Sequence, residues 1–169
     1  MAHHHTVKNA KNRSTSYRLG VGIMLINDMN KVFVGKRIDQ DPSADYWQMP
    51  QGGIDHGEDP ITAAMRELKE EIGTNEVEII AESADWLQYD IPEGMKKKLW
   101  QGKYRGQMQK WFLCKLNTSE DQINISTEHP EFIAWRWESI ENLPDVIIPF
   151  KKDLYESLIR EFGHIAASI

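Results

Sequence analysis

Three glutamates stand close together in the stretch Arg66-Glu67-Leu68-Lys69-Glu70-Glu71-Ile72-Gly73. In helical register Glu67, Glu70 and Glu71 fall at i, i+3 and i+4, so their side chains cluster on one face. The glycine that follows is a stop signal. It puts the acids at the end of the helix, where backbone carbonyls already concentrate negative partial charge. Carboxylates held this close repel each other unless a cation joins them or one takes up a proton. An all-oxygen set without His or Cys suits hard cations such as Mg²⁺ or Mn²⁺. Such ions activate water and stabilise charge on a phosphoryl group. A solvated face moderated by Lys69 is the competing reading, and composition and spacing alone leave the two level.

The acids need a helix and a loop to present them. Asp59 is an N-cap and Pro60 suits the first helical position. Ile61, Ala64, Met65, Leu68 and Ile72 recur at the spacing of one apolar face. Ahead of the helix, Gln51-Gly52-Gly53 reads as an irregular loop where backbone can approach a ligand. Residues 18–26 and 31–36 read as strands joined by the turn Asn27-Asp28-Met29-Asn30, and residues 39–45 as a loop. A short extended piece at 46–49 ends at Pro50. Further strands are expected at 77–83, 86–89, 107–116 and 132–137. A closing helix at 150–162 is marked by Leu154, Tyr155, Leu158, Ile159 and Phe162. Interleaved strands and helices predict an α/β sandwich with a mixed sheet. No repeat, linker or second boundary interrupts the chain. Residues 1–16 read as a disordered N-terminus with a tag remnant at His3-His4-His5, and 17–169 as one domain.

Composition narrows the class. With 40% hydrophobic and 27% charged residues in 169, the chain has the make-up of an ordinary globular domain. No apolar run reaches the length of a membrane span, and the N-terminus carries no signal peptide. The single cysteine, Cys114, sits in the apolar run Trp111-Phe112-Leu113-Cys114 and reads as a buried strand thiol. A chain with no bridge fits the cytoplasm. The net charge of −6 argues against broad nucleic-acid binding but leaves room for a local basic groove. Residues 95–110 hold Lys96, Lys97, Lys98, Lys103, Arg105 and Lys110 with Trp100 and Tyr104, and no acid. Basic and aromatic side chains in one segment suit a polyphosphate nucleotide or a single-stranded RNA end. For Lys96-Lys97-Lys98 alone a solvated loop is the simpler reading.

From Gly52 the chain runs five residues to Glu58, then seven to Arg66-Glu67-Leu68-Lys69-Glu70-Glu71-Ile72-Gly73. This resembles the signature of the Nudix hydrolases, departing only at Thr74, where the family carries an apolar residue. The resemblance implies an α/β/α Nudix fold and metal-dependent cleavage of a diphosphate linkage. It implies Glu67, Glu70 and Glu71 as metal ligands, joined by the Gly52 carbonyl, with Glu58 and Arg66 as a structural ion pair. Tyr46 to Gly53, Trp86-Leu87-Gln88-Tyr89, Gln107 to Phe112, Pro130-Glu131-Phe132, Trp135-Arg136-Trp137 and Pro149 to Lys152 resemble one branch of that family. The branch contains dinucleoside polyphosphate hydrolases and bacterial RNA pyrophosphohydrolases. By its pattern Glu131 is a further metal ligand or the base that activates water. Arg37, Lys110 and Lys151 match basic positions near its substrate, and Tyr89 and Phe150 aromatic ones. Trp111, Trp135 and Trp137 read as core or partly buried strand residues. The implied catalytic set is Glu70, Glu71 and Glu131. The implied reaction is release of pyrophosphate from a 5′-triphosphorylated RNA end, cleavage of a dinucleoside polyphosphate, or both. A silent nucleotide-binding module, or an enzyme for another nucleoside diphosphate derivative, is the alternative. The sequence leaves protein partners open.

Overall fold

The computed structural model describes residues 17–96 and 99–169. The expectations for residues 1–16, for Lys97 and Lys98, and for the Lys96 side chain lie outside the described residues. In chain order the strands are β1 (Tyr17–Ile26), β2 (Lys31–Arg37), β3 (Trp47–Gln48), β4 (Gln51–Gly53), β5 (Val77–Glu82), β6 (Leu87–Asp90), β7 (Gly106–Leu116) and β8 (Phe132–Ser139). The helices are α1 (Pro60–Ile72), the short α2 (Glu93–Lys96), the short α3 (Leu143–Val146) and α4 (Lys152–Ala167).

β1 and β7 are the longest strands and pair in parallel, from Tyr17 opposite Gly106 to Ile26 opposite Lys115. Around this pair β5 and β6 add to β7, and β4 and β2 add to β1, all antiparallel. β3 and β8 extend the sheet from β2. The sheet is therefore mixed, as expected.

Side chains alternate across a strand, and the two faces bury different sets. Val21, Ile23 and Leu25 of β1, with Phe112 and Cys114 of β7, pack against Ala63, Ala64, Leu68 and Ile72 of α1. Met24 and Ile26, with Trp111 and Leu113, pack against Leu154, Tyr155, Leu158 and Phe162 of α4. The layers are α/β/α, the architecture the resemblance implies. Cys114 is a buried free thiol, pushed up to about 12 by burial. That matches a packing role rather than a nucleophilic one. Among the described residues no helix is long and apolar enough to cross a membrane.

α1 begins and ends on its sequence signals. Asp59 Oδ1 accepts from the Thr62 amide at 2.8 Å, and Pro60 opens the first turn. Gly73 adopts φ 82°, a left-handed cap that glycine reaches without Cβ strain. The Asn124 amide closes the Ile72 carbonyl at 2.8 Å. Three expectations need correction. Residues 51–53 are not an irregular loop but the strand β4, held on β1 through Gly22–Gln51, Val21–Gly52 and Gly20–Gly53. Ile61 is 45% exposed and takes no part in the cluster that buries Ala64, Leu68 and Ile72, so it does not belong to the buried face. The closing helix starts at Lys152, after a 3₁₀ turn over Pro149–Lys151, and runs on to Ala167.

Gly22 faces Trp111 across the central pair, and a Cβ there would be driven into the indole ring. Gly22→Ala is therefore expected to destabilise the fold by about 1–3 kcal/mol through overpacking. Urea denaturation checks this; a stability equal to that of the parent would show that the ring can yield.

Candidate functional site

α1 lies on the sheet beside β4, and this contact sorts the three glutamates by depth. Glu71 turns toward the sheet and is 3% exposed. Its Oε2 accepts from the Gln51 amide at 3.1 Å. Burial pushes the Glu71 carboxyl well above the usual carboxylate range. The charges of Glu67 and Glu131 push the same way, while Arg37 and the Gln51 N–H oppose them. Glu67 lies at half depth, raised first by burial and drawn back by Arg66. Its carboxylate sits against Gly52 where a Cβ would otherwise be, so only glycine lets the β4 backbone come this close. Glu70 is turned outward, its side chain 58% exposed.

Arg66 ties these parts together. It forms a bidentate pair with Glu58, Nε to Oε2 at 2.8 Å and Nη2 to Oε1 at 2.9 Å. The same guanidinium donates to the Gly53 carbonyl at 2.9 Å, to Glu67 Oε1 at 2.9 Å and to Glu70 Oε2 at 3.2 Å. Arg66 thus does more than the structural pair the resemblance implies. It is the positive charge within the acid cluster itself. Glu58, held first by Arg66 and then by the Asp55 amide, falls to about 2.

Across the cleft stand two cations. Arg37, at the end of β2, is 3.7 Å from Glu131 Oε2. It is bound more closely, by two hydrogen bonds of 2.8 and 2.7 Å, to Asp39, a partner that sequence reading missed in the loop beyond the strand. Glu131 precedes β8, and its carbonyl accepts from the Ile38 amide at 2.9 Å, which fixes it beside the β2 end. Lys151 is 6% exposed, and its Nζ donates to Gln51 Oε1 at 3.3 Å. The ammonium lies over the Tyr89 ring at 5.0 Å and the Phe150 ring at 6.0 Å, contacts that favour a cation. Burial and then Arg37 pull Lys151 down to about 7, against the attraction of Glu71. The Tyr89 hydroxyl accepts from Gln107 Nε2 at 2.9 Å, and burial raises it to about 12.

The fold thus gathers Gly52, Glu67, Glu71, Glu131, Arg37, Tyr89, Phe150 and Lys151. Lys110 is placed otherwise. Its ammonium, on a side chain 6% exposed, reaches the Ala84 carbonyl at 3.4 Å and Glu82 at 3.5 Å. Its place on β7 points it to the β5–β6 connection. Of the basic segment, Arg105 pairs with Asp90 at 3.2 Å, and Lys103 lies over Tyr104. Sequence reading missed Arg18. Its guanidinium packs against Gly53 and lies 5.3 Å from the Trp100 ring, and its charge lowers Glu67. A basic residue at the start of β1 carried no motif, so only the β1–β4 pairing could reveal it. Gln51, Gln107 and Gln109 were missed as site-lining amides for the same reason.

The acids acting on Glu71 are the carboxylates of Glu67 and Glu131, and an all-oxygen set of this kind fits a hard divalent cation. Burial and neighbouring acids disfavour the charged forms of Glu67 and Glu71, a penalty that a bound cation would relieve. Among the described residues, no three acidic, histidine or cysteine side chains converge into a ready-made cage. Arg66 occupies one oxygen each of Glu67 and Glu70.

The Glu71 shift has a sign that can be measured. Its folded pKa lies above the unfolded value of 4.5. Between the two values the folded state holds the proton that the unfolded state has lost. Stability therefore falls as pH rises through that window, and the loss persists above it. Glu71→Gln removes the penalty. In metal-free buffer it is expected to raise stability by roughly 1–3 kcal/mol at pH 8 and little at pH 4. Thermal unfolding at the two pH values in the presence of a chelator checks this, and a destabilised variant at pH 8 would refute it.

The NUDIX domain family model matches residues 16–158. An RNA pyrophosphohydrolase of Rickettsia typhi is 52% identical over 158 residues, covering 92% of this chain and 97% of its own. An RNA pyrophosphohydrolase of Rhodospirillum rubrum is 51% identical over 150 residues, covering 89% of each chain. Among solved structures, a C. elegans Ap4A hydrolase in a binary complex superposes with a TM-score of 0.63 at 24% identity, covering 89% of this chain and 99% of its own. The superposition speaks for the fold. The family model and the near-full-length relatives speak for descent, and on them the chain belongs to the NUDIX hydrolase family.

Proposed function

We propose that this hydrolase acts on nucleotide 5′-polyphosphates, with a 5′-triphosphorylated RNA end as its main substrate and dinucleoside polyphosphates such as diadenosine tetraphosphate as a second class. The observation that carries the reading is the charge arrangement of the site. Glu71, pressed by the neighbouring acids Glu67 and Glu131, feels two cations, Arg37, which also pairs with Glu131, and Lys151, and Lys151 lies over the rings of Tyr89 and Phe150. The relatives named RNA pyrophosphohydrolase support the choice of RNA.

Hydrolases of this family use divalent metal ions. Here the ligands would be Glu67, Glu70, Glu71, Glu131 and the Gly52 carbonyl, and the ion Mg²⁺ or Mn²⁺. Glu67 and Glu70 would turn from Arg66 to reach it. A bound cation would supply Lewis-acid stabilisation of phosphoryl charge. The chain's own groups do the rest. To Glu131, whose side chain is 43% exposed beside Arg37, we assign removal of a proton from the attacking water, and Glu71 is the most deeply buried acid of the set. Arg37 and Lys151 offset charge on the departing phosphates. Tyr89 and Phe150, at 5.9 Å and tilted by 44°, offer faces to a base. Arg18, beside Gly53 and acting on Glu67, would serve as a further phosphate ligand, whereas Lys110 could do so only after leaving Glu82 and the Ala84 carbonyl. The single buried thiol fits a cytoplasmic setting.

The test is a competition in one tube between diadenosine tetraphosphate and a short 5′-triphosphorylated RNA with Mg²⁺, with products resolved by mass. The expected products are pyrophosphate and 5′-monophosphate RNA in excess over ATP and AMP. Preferential formation of ATP and AMP would make the enzyme a dinucleotide hydrolase. Binding without turnover would make it a nucleotide-binding module. Glu70→Gln and Glu71→Gln are each expected to lower kcat by about 100-fold or more. Near-normal turnover in both would remove the metal-ligand assignment.

A further inference from the structure

A chain of buried amides runs from the core to the site. Trp111 Nε1 donates to Gln109 Oε1 at 3.0 Å. Gln109 Nε2 donates to Gln51 Oε1 at 3.1 Å, and Lys151 Nζ donates to the same oxygen at 3.3 Å. Trp111 and Gln109 are fully buried. The direction of the chain follows from its first member. An indole N–H only donates, so it takes the oxygen of Gln109 and leaves the Gln109 NH₂ to face Gln51. That NH₂ in turn requires the oxygen of Gln51. A reversed Gln51 amide would set donor against donor at both Gln109 and Lys151. The Lys151 ammonium needs this acceptor, because Arg37 repels it and burial removes water. The indole itself is held against Gly22 and, ring to ring, against Tyr155 at 6.1 Å.

We propose that Gln109 and Trp111 are positioning residues that orient the Gln51 amide, so that its oxygen anchors the Lys151 ammonium where a substrate phosphate is received. The inference rests on the reading of Lys151 as a phosphate ligand. It extends the site two residues into the core, to side chains that are fully buried. The backbone of the same Gln51 donates to Glu71, so one residue sets both an anion and a cation of the cleft.

The test combines a double-mutant cycle with a chemical probe of Lys151. Gln109→Leu and Trp111→Phe are made in the parent and in Lys151→Met, each with its thermal midpoint measured. Trp111→Phe keeps an aromatic ring if Gln109→Leu folds poorly. Turnover of a triphosphorylated RNA is read as kcat/KM. Metal-free protein is treated with formaldehyde and a borane reductant, and methylation of Lys151 is followed by peptide mass spectrometry relative to exposed Lys152. Each variant is expected to lower kcat/KM by about tenfold, to speed Lys151 methylation by a similar factor, and to cost less than about twofold once Lys151→Met is present. Lost turnover in Lys151→Met with unchanged methylation in both Gln109→Leu and Trp111→Phe overturns the inference and spares the reading of Lys151. So does a full loss that persists in the Lys151→Met background. Unchanged turnover in Lys151→Met overturns that reading and the inference with it.

Discussion

Burial of the Glu71 carboxylate is the constraint around which the rest of the site is arranged. A lone carboxylate out of water is costly, and it persists only with hydrogen bonds and positive charge around it. Here the Gln51 N–H reaches it directly, and Arg37 acts from across the cleft. Glu67 and Glu131 work against it. The protein thus keeps an anionic centre that is incomplete on its own, the electrostatic condition for receiving a cation. The packing of α1 enforces it. Leu68 and Ile72 bury against Phe112 and the apolar side of β1, and Glu71, one turn on from Leu68, shares their helix face and is carried inward, while Glu70 is turned outward.

Arg66 keeps this tension from spreading. By binding Glu58, the Gly53 carbonyl, Glu67 and Glu70 together, it joins the loop before the helix, the edge of β4 and the helix face into one unit. A guanidinium suits this because its planar fork holds several donors in fixed directions. It also compensates the acids that crowd the carbonyl end of α1. Metal entry would exchange part of that compensation for a divalent charge.

The opposite side of the site is a product of the sheet. β4 brings Gln51 onto β1, and β7 brings Gln109 and Trp111 beside it in register. The turn before α4 delivers Phe150 and Lys151 from far along the chain. The carboxylates come from α1 and the edge of β8, the cations from β2 and the C-terminal turn. The cleft is the place where these ends meet, and neither half is local.

By itself the sequence determined what is local or periodic. Asp59, Pro60 and Gly73 set the ends of α1, because caps and left-handed residues act within a few positions. Alternation along residues 18–26 and 107–116 announced the central strands, and the glutamate spacing together with Glu58 and Arg66 announced the acid cluster. The family resemblance added Glu131, Arg37, Tyr89, Phe150 and Lys151. Only the tertiary structure decided which glutamate is buried, that Arg66 pairs with four acids, Asp55, Glu58, Glu67 and Glu70, and that Gln51 lies in a strand. It also decided that Lys110 faces Glu82, and that Arg18 and Gln109 stand near the site. These depend on strand register and helix docking across long separations, and no side chain's type or spacing encodes its depth. A carboxylate's charge cost, an amide's direction and an ammonium's partner are all set by what lies opposite, and in this fold that is always another element.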